Sequence, residues 1–310
     1  MLWRALLLAV GVFAGSTAVI QIKACTVDPV QMASYRQLVA AAVLAPVFLR
    51  DWRRHRAAYT WAHLRGAMLP GLMLGLHFIS WIFGAQKARA ANASLIVNMV
   101  PIVLPFFLHW LIRERITKGE VAGTALALAG LVLLAVADSR HGGQLVAGDL
   151  ICFGSMILFA LYLALGRKNR HYPTVWLYLV PVYFLGGAFC LLCTLVLAPI
   201  APALAAPITA FPTQNVLREV LLVLGLGIIP TVIGHSILNY TMRHLRGQVV
   251  GIANLGQFVF AGVMAWFFFQ EVPSWALYVS AVFVVAGVAI AVRSAPPAAR
   301  EPPPLPDEPG

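Results

Sequence analysis

Long apolar runs, separated by short polar or basic segments, recur from one end of the chain to the other. A helix that spans a bilayer needs about 20 mostly apolar residues. The pattern therefore predicts an all-α integral membrane protein with ten transmembrane helices. The ten stretches that satisfy this requirement are 3–22, 32–49, 62–85, 93–112, 119–137, 148–166, 174–198, 217–241, 248–269 and 274–292.

The first stretch resembles a secretory signal in one respect, because it lies near the N-terminus and Arg4 precedes its apolar run. Its apolar run is longer than the usual core of a signal peptide, and no small-x-small cleavage site closes it. We therefore predict that this stretch is the first membrane span.

Two distant stretches share one layout, which indicates an internal duplication. In Met99–Lys118 and in Gly262–Ser274, an apolar, aromatic-rich helix runs into a glutamate and then a short turn. The glutamates, Glu114 and Glu271, lie 157 positions apart, which is about half of the chain. The repeating unit therefore contains five of the ten predicted helices.

A unit with an odd number of helices must enter the membrane from the opposite side in its second copy. The sequence thus predicts two inverted five-helix repeats, related by a pseudo-two-fold axis in the membrane plane. His77 and His235, 158 positions apart on the third helix of each half, fit this register. Inverted repeats recur in secondary transporters, which hold their substrate near the midplane between the repeats.

Composition agrees with a surface that faces lipid. Hydrophobic residues make up 61% of the chain and charged residues 11%, whereas a soluble domain has about 25% charged residues. The net charge of +11 comes from short basic clusters between the apolar runs, so membrane topology explains it better than nucleic-acid binding does. In the same way, Cys190 and Cys193 are interpreted as small apolar residues of a membrane helix.

The basic residues also predict the orientation of the chain. Sixteen Lys and Arg residues flank one set of loops and five flank the other, with Arg36 left over near the start of the second helix. Cytoplasmic loops carry the excess of positive charge. We therefore expect both termini in the cytoplasm of a protein of the bacterial cytoplasmic (inner) membrane.

The repeat divides the chain into four parts. We predict a first five-helix repeat at 1–138, a periplasmic linker at 139–147 and a second five-helix repeat at 148–293. The remaining part, 294–310, has seven prolines among seventeen residues, and such a composition is typical of a disordered tail. By the predicted orientation, this tail is cytoplasmic.

Several small motifs stand in a fixed order within this frame of ten spans. They are Gly15-Ser16, Tyr35-Arg36, Glu114 with Thr117, Gly148-Asp149-Leu150, and Glu271 with Ser274. In these motifs and their order the chain resembles the EamA group of the drug/metabolite transporter superfamily, over about residues 6–138 and 147–292. Pro101 fits the family pattern in the fourth helix, whereas Phe258 stands near the matching place of the second half.

The resemblance implies two inverted halves around a central cavity, lined mainly by the first, third and fourth helices of each half. It also implies transport of a small organic solute, often the export of amino acids or related metabolites. Because Asn254 and Gln257 precede Phe258, we expect the second half to present a more polar cavity wall than the family usually has.

Ionisable side chains inside a membrane are costly and are functional candidates by default. His77 and His235 lie mid-helix at matching positions, where a two-fold axis would bring them towards one cavity. A neutral imidazole donates and accepts hydrogen bonds, and its ordinary pKa near 6.5 suits a proton-linked switch. The alternative is a hydrogen bond between helices within each half.

Arg36 is the other charged candidate. A guanidinium cannot readily lose its charge, so it must reach the interface or find acceptors. Helix-end carbonyl groups or Asp28 would make it a structural clamp, and the alternative is a direct anchor for the carboxylate of a substrate.

The remaining candidates are polar or aromatic residues on the presumed lining helices. Glu114 and Glu271 are interpreted as turn or cap residues on opposite sides of the membrane, so they cannot share a site. Together with Arg36 and Pro101, they are expected to have structural or gating roles. The other substrate-binding candidates are Ser16, Trp81, Asn98, Ser155, Tyr162, Asn239, Asn254 and Gln257.

The sequence has no phosphate-binding loop of the G-x-x-x-x-G-K-[ST] type and no acid-rich metal or diphosphate motif. We therefore predict a secondary transporter without cofactor or metal, and not an enzyme. It would move a small organic metabolite by alternating access, with proton coupling left open. A membrane-embedded lipid-modifying enzyme and a non-transporting membrane protein remain as alternatives.

Overall fold

A computed structural model describes residues 2–88, 90–139, 146–270, 272 and 275–294. These residues are almost entirely helical, and no strand occurs among them. The helices are α1 (Leu2–Ala24), α2 (Pro29–His55), α3 (Trp61–Lys87), α4 (Ala90–Val97), α5 (Val100–Ile112), α6 (Lys118–Ser139), α7 (Val146–Lys168), α8 (Val175–Ile200), α9 (Val216–Leu226), a π-helical segment (Gly227–His235), α10 (Ser236–His244), α11 (Gly247–Asn254), α12 (Gln257–Phe269) and α13 (Trp275–Ser294).

The length and hydropathy of the helices confirm an all-α, multi-pass membrane protein. Within the described ranges, nine helical stretches are long and apolar enough to cross a bilayer. The remaining predicted span, the fifth in chain order at 119–137, lies inside the 22-residue helix α6. Large apolar side chains point outward, as in Phe106, which is 73% exposed, and Trp110, which is 69% exposed. A surface of this kind needs lipid around it.

The fourth and ninth predicted spans differ from the expected continuous helices, because each folds as two short helices. Between α4 and α5 the chain turns at Asn98 and Met99, and Pro101 follows in the first turn of α5, where its missing N–H costs nothing. Between α11 and α12 the turn falls at Leu255 and Gly256. Both breaks lie near the middle of an otherwise apolar span.

The eighth predicted span is also irregular. It runs continuously from Val216 to His244, longer than expected, and changes to π-helical hydrogen bonding over Gly227–His235. Pro230 lies inside this segment. The hydroxyl of Thr231 donates to the carbonyl oxygen of Leu226 over 2.8 Å, and so satisfies an acceptor in the disturbed turn. Short π-helical segments occur frequently at functional sites.

The helices pack around one central region, with α1 beside the π-helical segment and α3 against both α7 and α8. Glycines allow a close approach at the crossing of α1 with the π-helical segment. A Cβ atom on Gly234 would lie 3.0 Å from the backbone nitrogen of Gly15, so a larger residue does not fit without a shift. The backbones therefore cross almost in contact beside the centre.

Two predicted parts fall largely outside the described residues. These are the periplasmic linker, of which 140–145 lie outside, and the cytoplasmic tail from 295 onward. The division into two inverted repeats stays a prediction.

Candidate functional site

A small cavity lies where α1, α2, α3, α4, α7, α12 and the segment around His235 meet. Its volume is about 30 Å³, which is room for one or two water molecules. Six of its lining residues are candidates that the sequence analysis had named: Arg36, His77, Trp81, Asn98, His235 and Gln257. Five of these are predicted cavity residues, and the sixth, Arg36, was expected to have a structural role.

His77 is fixed by Ser155 of α7. The hydroxyl of Ser155 donates to the carbonyl oxygen of His77 over 2.9 Å and lies 2.8 Å from Nδ1 of the same residue. Nδ1 also lies 3.1 Å from the carbonyl oxygen of Ser155, which can only accept, so Nδ1 carries the proton and donates to Ser155. The ring also stacks on Phe159, with ring centroids 4.7 Å apart. His77 therefore presents Nε2 as an acceptor.

His235 lies opposite, with its ring centroid 6.3 Å from that of His77. Phe78 approaches it edge-on at 5.0 Å, and Tyr162 lies at 5.9 Å. Its Nδ1 is buried and has no hydrogen-bond partner among the described residues. The two histidines thus meet in one aromatic-walled space, but only His77 is fixed through Nδ1.

Arg36 is completely buried in α2, and its contacts correct the expectation that Asp28 or helix-end carbonyls hold it. Its Nε and Nη2 both donate to the hydroxyl oxygen of Thr231, over 3.1 and 3.0 Å, and the guanidinium lies 3.8 Å above the ring of Phe78. The carboxylate of Asp28 instead accepts from the backbone of Val30 and Ala206. Asp28 caps α2, and those contacts use both of its oxygens.

The two broken spans meet through a buried amide network. Asn254 donates to the side-chain oxygen of Asn98 over 2.7 Å, and Gln257 donates to the side-chain oxygen of Asn254 over 2.5 Å. Asn98 donates to the carbonyl oxygen of Ser94, one turn back. The network joins the break after α4 to the break after α11, and Asn98 and Gln257 face the cavity.

The other predicted substrate contacts lie beside the cavity rather than in its lining. The hydroxyl of Ser16 donates to the carbonyl oxygen of Phe13 in its own helix. Asn239 donates to the hydroxyl of Tyr162 over 2.6 Å and to the carbonyl oxygen of His235. Like Ser155, Tyr162 and Asn239 surround the histidines and can orient them.

Three residues of the site were missed by the sequence reasoning. Phe78 and Phe159 form its aromatic walls, and no feature separates them from other apolar residues of their helices. Thr231, which binds Arg36, is a polar residue directly after Pro230 within an apolar run. A hydroxyl residue directly after a proline, which disturbs a helix, could have indicated this position from the sequence.

Ion pairs join the two halves at the end of the molecule that is predicted to be cytoplasmic. Glu114, after α5, pairs with Arg167 at the end of α7 over 3.0 Å, and the two side chains are 13% and 9% exposed. Glu120 pairs with Arg246, and this hydrogen bond raises the pKa of the Arg246 guanidinium. Pro101 also bridges the halves, since its carbonyl oxygen accepts from Gln248. Glu271 lies outside the described residues.

The opposite end is closed by contacts between the α1–α2 connection and the chain that leads from α8 to α9. Asp28 accepts from the backbone of Ala206, and Gln31 donates to the carbonyl oxygen of the same residue over 3.0 Å. The carboxylate of Glu219 accepts from the backbone of Thr26 over 2.7 Å. Contacts between the halves therefore close both ends of the central region.

The groups at the centre can bind a small organic molecule. The described ranges contain no group of three or more His, Cys, Asp or Glu residues arranged to hold a metal ion. What the centre offers is a guanidinium, two imidazoles, carboxamides and aromatic faces, which suit a small, partly aromatic polar molecule.

The sequence matches the EamA-like transporter family over residues 1–136 and 146–293. It is 25% identical to an uncharacterized transporter of Archaeoglobus fulgidus, over 89% of this chain and 92% of that protein. It is 27% identical to the aromatic amino acid exporter YddG of Ancylobacter novellus, over 71% of this chain and 73% of that protein. A crystal structure of another protein, 21% identical, superimposes with a TM-score of 0.72 over 94% of this chain and 98% of that one. The chain is a multi-pass membrane protein that belongs to the EamA-like transporter family.

Proposed function

We propose that the protein is a secondary transporter that exports an amino acid or a related small metabolite across the bacterial inner membrane by alternating access. The observation that carries this proposal is the small central cavity in which His77 and His235 meet. A cavity between helices of two halves, lined by polar groups at membrane depth, is the expected position of a transporter site.

The size of the cavity supports a mechanism that opens and closes. Sites for small organic molecules usually have volumes of about 300 Å³ or more, roughly ten times the volume of about 30 Å³ found here. The cavity must therefore widen before it can hold a metabolite. In this proposal the structure corresponds to an occluded state, and the binding states are open towards one side.

Helix contacts support the inverted arrangement of the two halves. α1 packs on the π-helical segment and on α12, while α7 packs on α3 and on α5. An inverted five-helix repeat exchanges these two sets of contacts. α2 packs on α8 and α6 packs on α13, and the same operation would interchange the helices of each pair. The contact of α3 with α8 has its counterpart in the contact of the π-helical segment with α2.

The contacts at the two ends support alternating access. Opening to the cytoplasm requires separation of Glu114 from Arg167 and of Glu120 from Arg246. Opening to the periplasm requires separation of Asp28 and Gln31 from the segment around Ala206. Each set can break while the other holds, as a rocking mechanism needs.

The substrate class is proposed from the cavity walls and one relative. Phe78, Trp81 and Phe159 provide aromatic faces on which a planar side chain could stack. The relative named as an aromatic amino acid exporter is 27% identical. The excess of basic residues in one set of loops supports cytoplasmic termini.

The test is a counterflow assay in proteoliposomes, with a panel of radiolabelled amino acids and nucleosides. We expect at least one amino acid, with an aromatic one the first to test, to exchange faster than in protein-free liposomes and to be inhibited by its unlabelled form. Lack of exchange with every solute, by protein that elutes as a folded species, would overturn the proposal. A lipid-modifying activity in the same sample would favour the enzyme alternative.

A further inference from the structure

Arg36 is a buried cation for which the described part of the chain provides no carboxylate within ion-pair distance. Its relative exposure is 0%. The ion pairs found join other residues, for example Glu114 to Arg167 and Glu219 to Arg218. A charge buried inside a membrane protein without a partner is costly, so the presence of the Arg36 charge calls for an explanation.

The contacts that Arg36 does make orient the guanidinium but do not neutralise it. One edge, formed by Nε and Nη2, donates to the single oxygen of Thr231. One face lies against the ring of Phe78, at 3.8 Å from its centroid. Thr231 is fixed in turn, because its own hydrogen is donated to the carbonyl oxygen of Leu226. Neutral groups therefore hold the side chain in one orientation.

The second edge of the same guanidinium is unfilled. Nη1 is buried and has no hydrogen-bond partner among the residues described. A guanidinium edge with two parallel N–H groups matches the two oxygens of a carboxylate. One positive charge also balances one carboxylate, whereas a doubly charged phosphate would keep an uncompensated negative charge in the membrane.

The residue that carries this unfilled edge lines the central cavity. Arg36 does so together with His77, His235 and Gln257. His235 also contributes a buried Nδ1 for which the described chain provides no partner. Two residues with unfilled hydrogen-bonding capacity thus border one small space, and both contact the ring of Phe78.

We propose that Arg36 binds the carboxylate of the transported solute through its Nη1–Nη2 edge, so that the substrate supplies the missing counter-charge and the solutes carried are organic acids or amino acids. This inference rests on the proposed transport function and narrows its substrate class. Thr231 and Phe78 act as positioning residues for the guanidinium.

The test compares solutes that differ only in the carboxylate. Proteoliposome counterflow is measured with L-phenylalanine and L-phenylalaninamide, and with L-leucine and L-leucinamide, and chloride and inorganic phosphate are tested as competitors. We expect each acid that is exchanged to compete at least about tenfold better than its amide, since the amide forfeits a charge-assisted bidentate contact.

Variants assign the effect to Arg36. We expect R36Q to lose the preference for acid over amide. R36K keeps the positive charge but not the pair of parallel N–H donors, so it should retain a reduced preference. T231V should weaken the preference. Thr194→Val is the matched control, because its buried hydroxyl bonds only to the carbonyl oxygen of Cys190 in the same helix, away from the cavity.

The possible failures are distinguishable. If amides or nucleosides are exchanged as well as acids, or if R36Q keeps the preference, the Arg36 inference is wrong and the transport function stands. If chloride or phosphate competes as strongly as the acids, Arg36 is a site for inorganic anions. If no solute is exchanged at all, the transport function fails, and the inference fails with it.

Discussion

The two histidines at the centre are chemically unequal. Nδ1 of His77 is held by Ser155 and its ring stacks on Phe159, whereas Nδ1 of His235 is buried without a partner in the described chain. A ligand therefore meets one imidazole of fixed orientation and one with unfilled hydrogen-bonding capacity. Proton coupling through either ring stays a prediction.

Replacing either histidine with alanine is expected to reduce counterflow exchange at least about tenfold, because each change removes a buried group that can bond the solute. The hydroxyl of Ser155 keeps its bond to the backbone carbonyl of residue 77, and Nδ1 of His235 has no hydrogen bond to lose. The amount of protein in the membrane should be unchanged by immunoblot. Full exchange in both H77A and H235A would contradict this role.

The sequence predicted the meeting of these histidines but not the environment of Arg36, for a physical reason. Residues at matching positions of a duplicated unit are brought together by its symmetry, so the spacing of His77 and His235 carries information. Thr231 lies 195 positions from Arg36, and a neutral hydroxyl is not selected by any charge argument. Asp28 was the nearest acid in sequence, but the cap of α2 and the amide of Ala206 use its oxygens.

Among the elements, the most informative are the two broken membrane spans. The breaks at Asn98–Met99 and Leu255–Gly256 place backbone that is not regular helix at membrane depth, which is tolerated only where it is buried in protein or lines a cavity. The side chain of Asn254 links them, with 2.7 Å to Asn98. A small change in this contact would alter the angle between the half-helices on both sides.

A double-mutant cycle measures this link. We expect N98A and N254A each to lower the free energy of unfolding, and the coupling between them to be about 0.6 kcal/mol, with ~1.7 kcal/mol as an upper bound for a hydrogen bond between membrane helices. The measurement is unfolding by SDS titration in mixed micelles. Strictly additive effects of the two substitutions would show that the observed contact contributes nothing to stability.

Hydropathy predicted where the spans lie but could not predict their breaks. Residues on both sides of each break are apolar, so the average over a window of about 19 residues hardly changes. Pro101 marks the first break, but the second has no proline, and Pro230 lies in a span that continues through a π-helical segment. The breaks depend on contacts between halves, which a local average does not contain.

In the molecule as a whole, the two ends of the centre are closed by different kinds of contact. Two ion pairs join the halves at the predicted cytoplasmic end, whereas the contacts named at the other end are bonds between side chains and backbone. The pairs were not foreseen in detail, because the sequence indicated only that Glu114 would meet a cation or a backbone donor. The fold class and the position of nearly every span were predictable, since they follow from apolar length alone.

Charge reversal tests whether the pair of Glu114 and Arg167 controls opening. We expect E114R and R167E each to reduce exchange several-fold, because two like charges then face each other. The native side chains at these positions are only 9% and 13% exposed, so salt screens the repulsion weakly. The double variant E114R/R167E should recover much of the exchange. R50A is the matched control, since Arg50 pairs only with the adjacent Asp51 and is 55% exposed. Lack of recovery in the double variant would contradict a role for the pair itself.

The most direct test of the account is whether the central cavity opens to both sides in turn. A cysteine is placed at Ala18, which lines the cavity, in a chain whose four native cysteines are replaced by alanine and which still exchanges solute. A membrane-impermeant maleimide is then added from one side of the membrane or the other. Alternating access predicts labelling from each side and loss of exchange after labelling. Labelling from only one side or from neither, or unimpaired exchange by the labelled protein, would contradict it.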